Sequence, residues 1–207
     1  THSTVDDFAL WETMLSGNDR IFLSSFDDTA NGYAGRDKMY GYDGRDILRG
    51  GDDNDILYGG NDNDKLLGEN GNDKLVGGDN NDRLKGGDGK DKLYGGDNND
   101  TLRGGEGDDL IRGGAGRDKE YRGVGEDTFQ FKAGDEMAII GDFDAKGLEH
   151  DILDLRGVAS IRNWKDLSEN HMSKDGKDVV IDANNGDVIV LKGVSMNTLD
   201  KGDFLFS

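Results

Sequence analysis

The sequence predicts an all-β fold, a β-solenoid in which short parallel strands stack into a flattened coil. Aspartate recurs every nine residues from Asp19 to Asp127 without interruption. The residues around it follow the frame G-G-x-G-x-D-x-(apolar)-x, as in residues 50–58 and 77–85. The eighth position of this frame is almost always apolar. A fixed short period of this kind indicates one small structural unit that is repeated and stacked.

The segment before the repeats, residues 1–13, is predicted to form a capping helix. Thr4 and Asp7 have the spacing of a capping box, and Phe8, Trp11 and Leu15 follow at helical intervals. A stack of repeats leaves the apolar side of its first unit uncovered. We expect this helix to cover it.

The repeats are predicted to span residues 14–130, as thirteen units of which the first two are degenerate. With Gly50 as position one, position six is aspartate in every unit. Positions one to six are expected to form a tight turn, and positions seven to nine a three-residue strand whose middle side chain faces inward. Position four is mostly Gly and otherwise chiefly Asp or Asn, which tolerate a left-handed backbone. Two units would make one circuit, so each unit stacks on the unit two further along, at about 4.8 Å.

Residues 131–207 are predicted to form a β-rich C-terminal cap. Apolar or alternating runs at 137–140, 152–155, 179–183 and 188–191 predict strands, and the turn signals at 174–177 and 184–187 separate some of them. Two further segments, residues 161–169 and 196–201, predict short helices.

The composition restricts the possible partners. The chain carries a formal charge of −19 and no cysteine. Nucleic acid and anionic membrane surfaces would repel it, whereas divalent cations would be attracted. No apolar run is long enough to cross a bilayer, and the segment that begins at Thr1 does not read as a signal peptide. We therefore expect neither a nucleic-acid partner nor membrane insertion.

If the units stack in this way, the spacing of the aspartates predicts metal binding. Counted from the unit of Asp19, odd-numbered units would place their aspartates along one edge of the coil and even-numbered units along the other. Like charges at the strand spacing repel one another, and the turn carbonyls also need partners. Ca²⁺ accepts six to eight oxygen ligands, so it would both neutralise the carboxylates and bind the turn carbonyls. Roughly ten ions would carry about +20, close to the formal −19.

These repeats resemble the RTX family, the calcium-binding parallel β-roll modules of proteins that bacterial type I secretion exports. The resemblance implies that each ion lies between adjacent turns. An ion that bridges Asp55 and Asp73 would also take carbonyls near Gly50, Asp52, Glu69 and Gly71. The expected metal ligands are these four residues and the aspartates Asp19, Asp37, Asp46, Asp55, Asp64, Asp73, Asp82, Asp91, Asp100, Asp109, Asp118 and Asp127.

The resemblance also implies a setting for the chain. Such modules are secreted to the extracellular space, follow a passenger domain and interact with the type I secretion machinery. The C-terminal portion, which ends at Ser207, would carry the uncleaved export signal.

Three places depart from the frame. Residues 23–28 contain no glycine, so Asp28 is expected in a distorted turn without metal. Glu120 occupies an inward position, where an unpaired carboxylate is costly, and Arg122 replaces a position-one glycine. The roll is therefore expected to open or end near these two residues.

Position nine differs between the two kinds of unit. It is mostly aromatic in odd-numbered units, as in Tyr40 and Tyr58, and often basic in even-numbered units, as in Arg49 and Lys85. One outer face should therefore be aromatic and the other basic. The aromatic stripe either binds sugar rings or a neighbouring domain, or reflects strand propensity on a solvated face, which we favour.

No catalytic pattern stands out in the sequence. His2, His150 and His171 lack the spacing of a zinc enzyme and are expected at the surface, and the cluster Glu149–Asp151 is expected in a solvated loop. No window has the ligand spacing of an EF-hand.

We therefore expect a non-enzymatic module whose calcium-driven folding outside the cell supports secretion and stability of a larger secreted bacterial protein. The alternative is an extracellular carbohydrate-binding or adhesion module attached to a polysaccharide-modifying enzyme. A third possibility, that the chain is itself a lyase, protease or lipase, has the least support.

Overall fold

A computed structural model gives the fold, and the structure describes residues 16–146 and 149–207. The capping helix predicted for residues 1–13 lies outside these ranges. The described chain is an all-β parallel solenoid of about seven turns.

Eleven strands form the repeat region. The first two are the three-residue strands β1 and β2, most of the others have five or six residues, and β11 has 15. They are β1 Arg20–Phe22, β2 Thr29–Asn31, β3 Lys38–Tyr42, β4 Ile47–Asp52, β5 Ile56–Gly60, β6 Lys65–Asn70, β7 Lys74–Asp79, β8 Arg83–Asp88, β9 Lys92–Asp97, β10 Thr101–Glu106 and β11 Leu110–Val124.

The strands alternate between two parallel sheets. The first sheet contains β1, β3, β5, β7, β9 and the beginning of β11, and the second contains β2, β4, β6, β8, β10 and the end of β11. Every pairing in the repeats joins a residue to the one 18 positions later, as Leu48 pairs with Leu66. This register confirms that two nonapeptide units make one turn of the coil.

The strands are longer than the sequence predicted. A typical strand, β4, runs from position seven through position three of the next unit, so only positions four to six form the turn. The cause is the inward alternation of side chains, which continues past position eight to the buried glycine at position one.

From Gly32 onward, the backbone is left-handed at two positions of each repeat unit. Position four has positive φ, as predicted, and includes Asp53 at 77° and Asn80 at 78°. Position two also has positive φ, at 113° in Gly51, and three larger residues adopt it there: Tyr33, Tyr42 and Glu69. This second left-handed position explains why the frame has two adjacent glycines, since most side chains disfavour that conformation.

The core of the repeat region is a single column of side chains from position eight, as predicted. Met39, Leu57, Leu75, Leu93 and the equivalent leucines of the other sheet are 0–2% exposed. Because each turn adds only two such side chains, the core is narrow and each residue in it contacts the turns above and below.

The stack does not open at Glu120 or Arg122, so of the two predicted outcomes only the end of the regular repeats is found here: residues 116–120 pair with residues 20 positions later instead of 18. β11 passes through this region without a break, and Glu120 pairs with Leu102 on one side and Ile140 on the other. Glu120 is tolerated because its carboxylate accepts a hydrogen bond from the Gly113 backbone N–H at 2.6 Å. Burial also raises the pKa of Glu120 to about 8, which favours the neutral acid.

The chain after the repeats continues both sheets without the nonapeptide frame. β12 Thr128–Lys132, β14 Ile152–Gly157 and β18 Phe204–Leu205 extend the first sheet in parallel. β13 Glu136–Ile140 and β17 Val188–Leu191 extend the second. The predicted strands are therefore present, and most of them stack as further turns.

An antiparallel hairpin and short helical turns complete this region. β15 Met172–Asp175 and β16 Asp178–Asp182 pair with each other, and β16 pairs with β17, all antiparallel. The first predicted helix is the α-helical turn α1, Trp164–Asp166, followed by the π-helical turn Leu167–His171. The second consists of two 3₁₀ turns, Met196–Thr198 and Lys201–Asp203. In the described ranges, no helix has the length and apolarity of a membrane span.

The single-column core predicts a large cost for truncating one of its members. Leu93→Ala should lower the free energy of unfolding in saturating calcium by about 3 kcal/mol, because neighbouring turns cannot close the cavity. Urea titration followed by circular dichroism measures this. The neighbouring Lys92 is exposed, so Lys92→Ala serves as the control and should change the stability by less than about 0.5 kcal/mol. Equal effects of the two substitutions would contradict the proposed packing.

Candidate metal centre

The position-six aspartates face the interior of the coil. Eleven of them, from Asp37 to Asp127, are 1–3% exposed. Position six directly precedes the strand, and the two-residue alternation that it begins continues to positions eight and one, so each aspartate shares the inward side with an apolar residue and a glycine. Each edge of the coil therefore contains a column of buried carboxyl groups.

A hydrogen bond joins each rung of these columns to the next. The backbone N–H of Asp55 donates to Oδ1 of Asp73 at 2.7 Å, and the same contact recurs at 2.7–2.9 Å along both edges. One carboxylate oxygen of each acceptor is thus committed to the backbone of the preceding turn.

The second carboxylate oxygen has no partner in the protein. Oδ2 is buried without a hydrogen bond in Asp19, Asp37, Asp46, Asp55, Asp64, Asp73, Asp82, Asp91, Asp100, Asp109 and Asp127. An unpaired buried oxygen of this kind is costly, and a row of them requires compensation.

The glycine at position one provides the space for this oxygen. A Cβ added to Gly50 would lie 2.2 Å from Oδ2 of Asp55 and 2.7 Å from the carbonyl oxygen of Gly68. The same two kinds of oxygen surround Gly59, Gly77 and Gly95. Position one therefore requires glycine for lack of room alone, since its backbone is not left-handed. Positions two and four require a left-handed backbone, and a Cβ at Gly51 would also lie 2.2 Å from the Tyr33 carbonyl oxygen.

Burial destabilises the charged form of these carboxylates when no cation is present. Loss of solvation raises the pKa of Asp73 to about 6, of Asp64 and Asp82 to about 7, and of Asp100 and Asp109 to about 8. The hydrogen bond from the preceding turn opposes the shift, and neighbouring aspartates add to it in most cases. At neutral pH the columns therefore need either protons or bound cations.

The donor set fits a hard cation. Across residues 16–146 and 149–207, no three acidic or histidine side chains converge on one point. A cation beside Oδ2 would complete its shell with backbone carbonyls such as that of Gly68, which lies next to the Asp55 carboxylate. Oxygen-only coordination with many carbonyls is typical of Ca²⁺.

The four carbonyl donors expected for the ion between Asp55 and Asp73 do not all meet at one place. The Gly50 carbonyl lies beside Oδ2 of Asp37, one turn earlier, because each position-one carbonyl faces the glycine of the preceding turn. The Asp52 carbonyl accepts a hydrogen bond from the Gly35 N–H at 3.2 Å. The carbonyls of Glu69 and Gly71 instead point at Gly87 and Gly89 of the following turn.

A comparison with protein-family models decides the family. The model of the RTX calcium-binding nonapeptide repeat (4 copies) matches residues 15–48, 40–75, 67–102, 76–109 and 94–129, which together cover more than half of the chain. The chain belongs to the RTX family. RTX repeats bind calcium and are typical of type I secreted proteins.

Comparisons with individual proteins add less. No curated protein matches the chain. Among solved structures, the RTX chain is similar to the extracellular lipase LipA from Serratia marcescens, with 18% identity and a TM-score of 0.47. The match covers 91% of this chain and 40% of the lipase, so the chain spans less than half the length of that protein.

The first two RTX units are less regular than the rest. Asp19 donates its N–H to Asp37 and keeps an unpartnered Oδ2, like the later rungs. In Asp28 the same oxygen accepts hydrogen bonds from the backbone N–H of Ser24, at 2.8 Å, and from its hydroxyl, at 2.6 Å. The Asp28 carboxylate is thus turned toward its own loop, in the unit that lacks glycine.

The structure adds a residue that the repeat frame does not contain. Asp151 is completely buried, and its Oδ1 accepts the N–H of Asp127 at 3.2 Å, which continues the odd-numbered column by one rung. The prediction of a solvated loop for Glu149–Asp151 is therefore wrong for Asp151. The six-residue longer spacing from Asp127 hid it from a search for nine-residue periodicity.

Arg122 brings a positive charge to the end of this column. Its Nε lies 3.4 Å from Oδ2 of Asp151 and donates to the carbonyl oxygen of Asp142 at 2.7 Å. Burial raises the pKa of Asp151 to about 7, and the Arg122 guanidinium opposes that shift. The residue that replaces a position-one glycine thus supplies a side-chain cation where the repeats end.

The histidines are less exposed than predicted. His171 is buried, and its Nδ1 lies 2.6 Å from the carbonyl oxygen of Asp182. His150 is 38% exposed and contacts the buried Asp203 carboxylate through Nε2. Both contacts link segments of the C-terminal region, which gives these histidines a structural role. His2 lies outside the described residues.

The crowding at position one predicts a specific effect of a single methyl group. In Gly77→Ala the new Cβ would lie 2.3 Å from Oδ2 of Asp82 and 2.6 Å from the Gly95 carbonyl, where a cation would bind. We expect weaker calcium binding and a loss of about 2 kcal/mol of stability, measured by calorimetric calcium titration and urea unfolding. Gly17 has no atom within 4 Å of its Cβ position, so Gly17→Ala should be neutral. Unchanged calcium binding in Gly77→Ala would contradict the site.

The raised pKa values predict how the calcium-free chain responds to pH. The folded-state pKa of Asp82 is about 7 and that of Asp100 about 8, above the ordinary value of 3.8. Folding in chelator should therefore become more favourable as the pH falls from about 8 to about 4, because protons replace cations, and should weaken as it rises. Far-UV circular dichroism in chelator measures this. Constant or decreasing β-structure on acidification would contradict the burial of the columns.

Proposed function

We propose that this RTX module folds outside the cell when it binds calcium, and that this folding supports type I secretion and the stability of a larger secreted bacterial protein. The observation that carries the proposal is the row of buried, unpartnered Oδ2 atoms along both edges of the coil. These atoms make the coil unfavourable without cations and provide ligands for them.

Calcium binding and folding are linked in this arrangement. Each candidate cation site combines a carboxylate from one turn of the coil with a backbone carbonyl from the next turn, as with Asp55 and Gly68. The unfolded chain does not contain this combination, so the free energy of calcium binding adds directly to the free energy of folding. Roughly ten ions, bound by the position-six aspartates and nearby turn carbonyls, would nearly neutralise the formal charge of −19.

The linkage suits a protein that is exported before it folds. At the low free calcium of a cytosol, self-repulsion and the glycine content keep the chain unfolded, which suits passage through the secretion machinery. At the millimolar calcium outside the cell, the repeats fold. In this proposal the C-terminal portion carries the export signal and a passenger domain precedes the module.

The module itself acts without catalysis in this proposal. The residues that recur in the repeat frame are accounted for by turn geometry, the core column and the carboxylate columns. Turnover of a glycoside, peptide or ester substrate by residues 1–207 alone would overturn this part of the proposal.

Calcium titration of single variants tests the linkage. Asp82→Asn keeps the oxygen that accepts the N–H of Asp64 but removes the charge beside Gly77. Folding followed by far-UV circular dichroism should then require about tenfold more calcium, equivalent to about 1.4 kcal/mol. Asp79 lies in the same unit and is exposed, so Asp79→Asn removes the same charge from the surface and should leave the midpoint nearly unchanged. A wild-type chain that is fully β-structured in excess chelator at neutral pH would refute the proposal.

A further inference from the structure

The two outer faces of the coil differ in how their charged side chains are used. On the first sheet, Lys38 lies 5.2 Å from the ring centre of Tyr40, and Lys74 lies 5.8 Å from that of Tyr58. Arg112 forms a salt bridge with Asp135 at 2.6 Å. Several cations of this face are therefore already paired with groups of the protein.

The aromatic side chains on the outer face of the first sheet also contact mainly one another. The rings of Phe22, Tyr40 and Tyr58 stack in succession, with centroid distances of 5.1 and 5.2 Å and planes within 7° of parallel. Stacked rings cover each other's faces, and it is the ring face that a sugar would contact. The interior rings of this stripe are thus poorly suited to hold sugar rings, which disfavours it as a glycan site.

The second sheet presents a different surface, which we call the basic strip. Parallel pairing aligns position seven of successive strands in one column and position nine in another. The six cationic residues of these two columns are Arg49, Lys65, Arg83, Lys85, Arg103 and Lys119.

Most cations of the basic strip have no acidic partner. Within the two described ranges, Lys65, Arg83, Lys85 and Lys119 form no ion pair and are exposed. Arg49 makes a long contact of 3.8 Å with Glu69, and Arg103 lies over the Tyr121 ring at 4.4 Å, a contact that leaves its charge without an acidic partner. A row of unpaired cations on one face of a chain with a formal charge of −19 calls for an anionic partner.

The shape of the strip limits which anion can bind. Its five strands span roughly 20 Å at the usual strand spacing. Exposed acids at position three, namely Asp52, Asp88 and Glu106, border it along one side. A membrane surface or a nucleic-acid duplex is wide and densely charged, so these acids would repel it. A thin chain with one charge per unit and neutral polar groups between the charges can lie along the two cationic columns, clear of this acidic side.

From this charge complementarity, we propose that the basic strip binds a linear acidic polysaccharide, with sugar carboxylates facing Arg83, Lys85 and Arg103. The strip exists only when the turns are stacked, so the inference rests on the calcium-driven folding proposed above. Bound calcium also cancels the buried carboxylate charge that would otherwise repel an acidic chain. Polysaccharide binding is therefore expected only in the presence of calcium.

A short oligogalacturonate, with chains too short to gel with calcium, is a suitable probe. The full chain of 207 residues in saturating calcium should bind it in calorimetry, more weakly as salt is raised, and should not bind a neutral malto-oligosaccharide of equal length. The triple variant Arg83→Gln, Lys85→Gln, Arg103→Gln should lose about tenfold in affinity.

A matched variant separates the strip from general charge effects. Lys38→Gln, Lys74→Gln, Lys92→Gln removes the same charge from the other sheet and should change the affinity by less than about twofold. Equal losses in both variants, no binding of the oligogalacturonate, or tighter binding of duplex DNA or phosphatidylglycerol vesicles would overturn the proposal. The calcium midpoint of folding, measured on the same samples, is a separate readout. A normal midpoint without sugar binding refutes only the polysaccharide site, whereas folding without calcium refutes the linkage.

Discussion

The burial of like-charged carboxyl groups is the constraint on which this structure depends. The aspartates share the inward side of each strand with the apolar core, and one oxygen of each is used by the backbone of the preceding turn. The other oxygen is buried near a backbone carbonyl and has no hydrogen-bond partner in most of the units. Charged columns of this kind need protons or bound cations for stability, and the proposed calcium-driven folding rests on the same residues that define the repeat.

The two glycines at the start of each unit are required for different physical reasons. The first, exemplified by Gly50, is extended, and a side chain there would occupy the space between the Asp55 carboxylate and the Gly68 carbonyl. The second, Gly51, has a positive φ of 113°. Substitutions in the natural sequence follow this distinction. Tyr42 and Glu69 occupy position two, where a larger residue is strained but fits, whereas Arg122 replaces position one only where the regular repeats end.

The end of the carboxylate column shows a second way to neutralise it. Asp151 adds a rung to the odd-numbered column, and Arg122 brings a guanidinium within 3.4 Å of it. A covalently attached cation is thus present at this end of the stack, where its charge lowers the pKa of Asp151 against the effect of burial. The two sheets also differ at their surfaces. On the first, Lys38 and Lys74 lie over tyrosine rings. On the second, Arg103 lies over the Tyr121 ring, but Lys65, Arg83, Lys85 and Lys119 form no ion pair within the described residues.

The sequence by itself determined the repeating unit, the two-unit turn, the apolar column and the identity of the inward aspartates, because period and side-chain alternation are local properties that each unit repeats. It also indicated calcium, since the frame resembles that of a known family. Only the tertiary structure showed that position one lacks room for a side chain, that the strands extend to position three, that Asp151 joins the column and that Glu120 is accommodated. Most of these features depend on contacts between residues that lie 18 or more positions apart. Outside the repeat frame, as for the contact between Asp127 and Asp151, the sequence has no periodicity from which such a contact could be predicted.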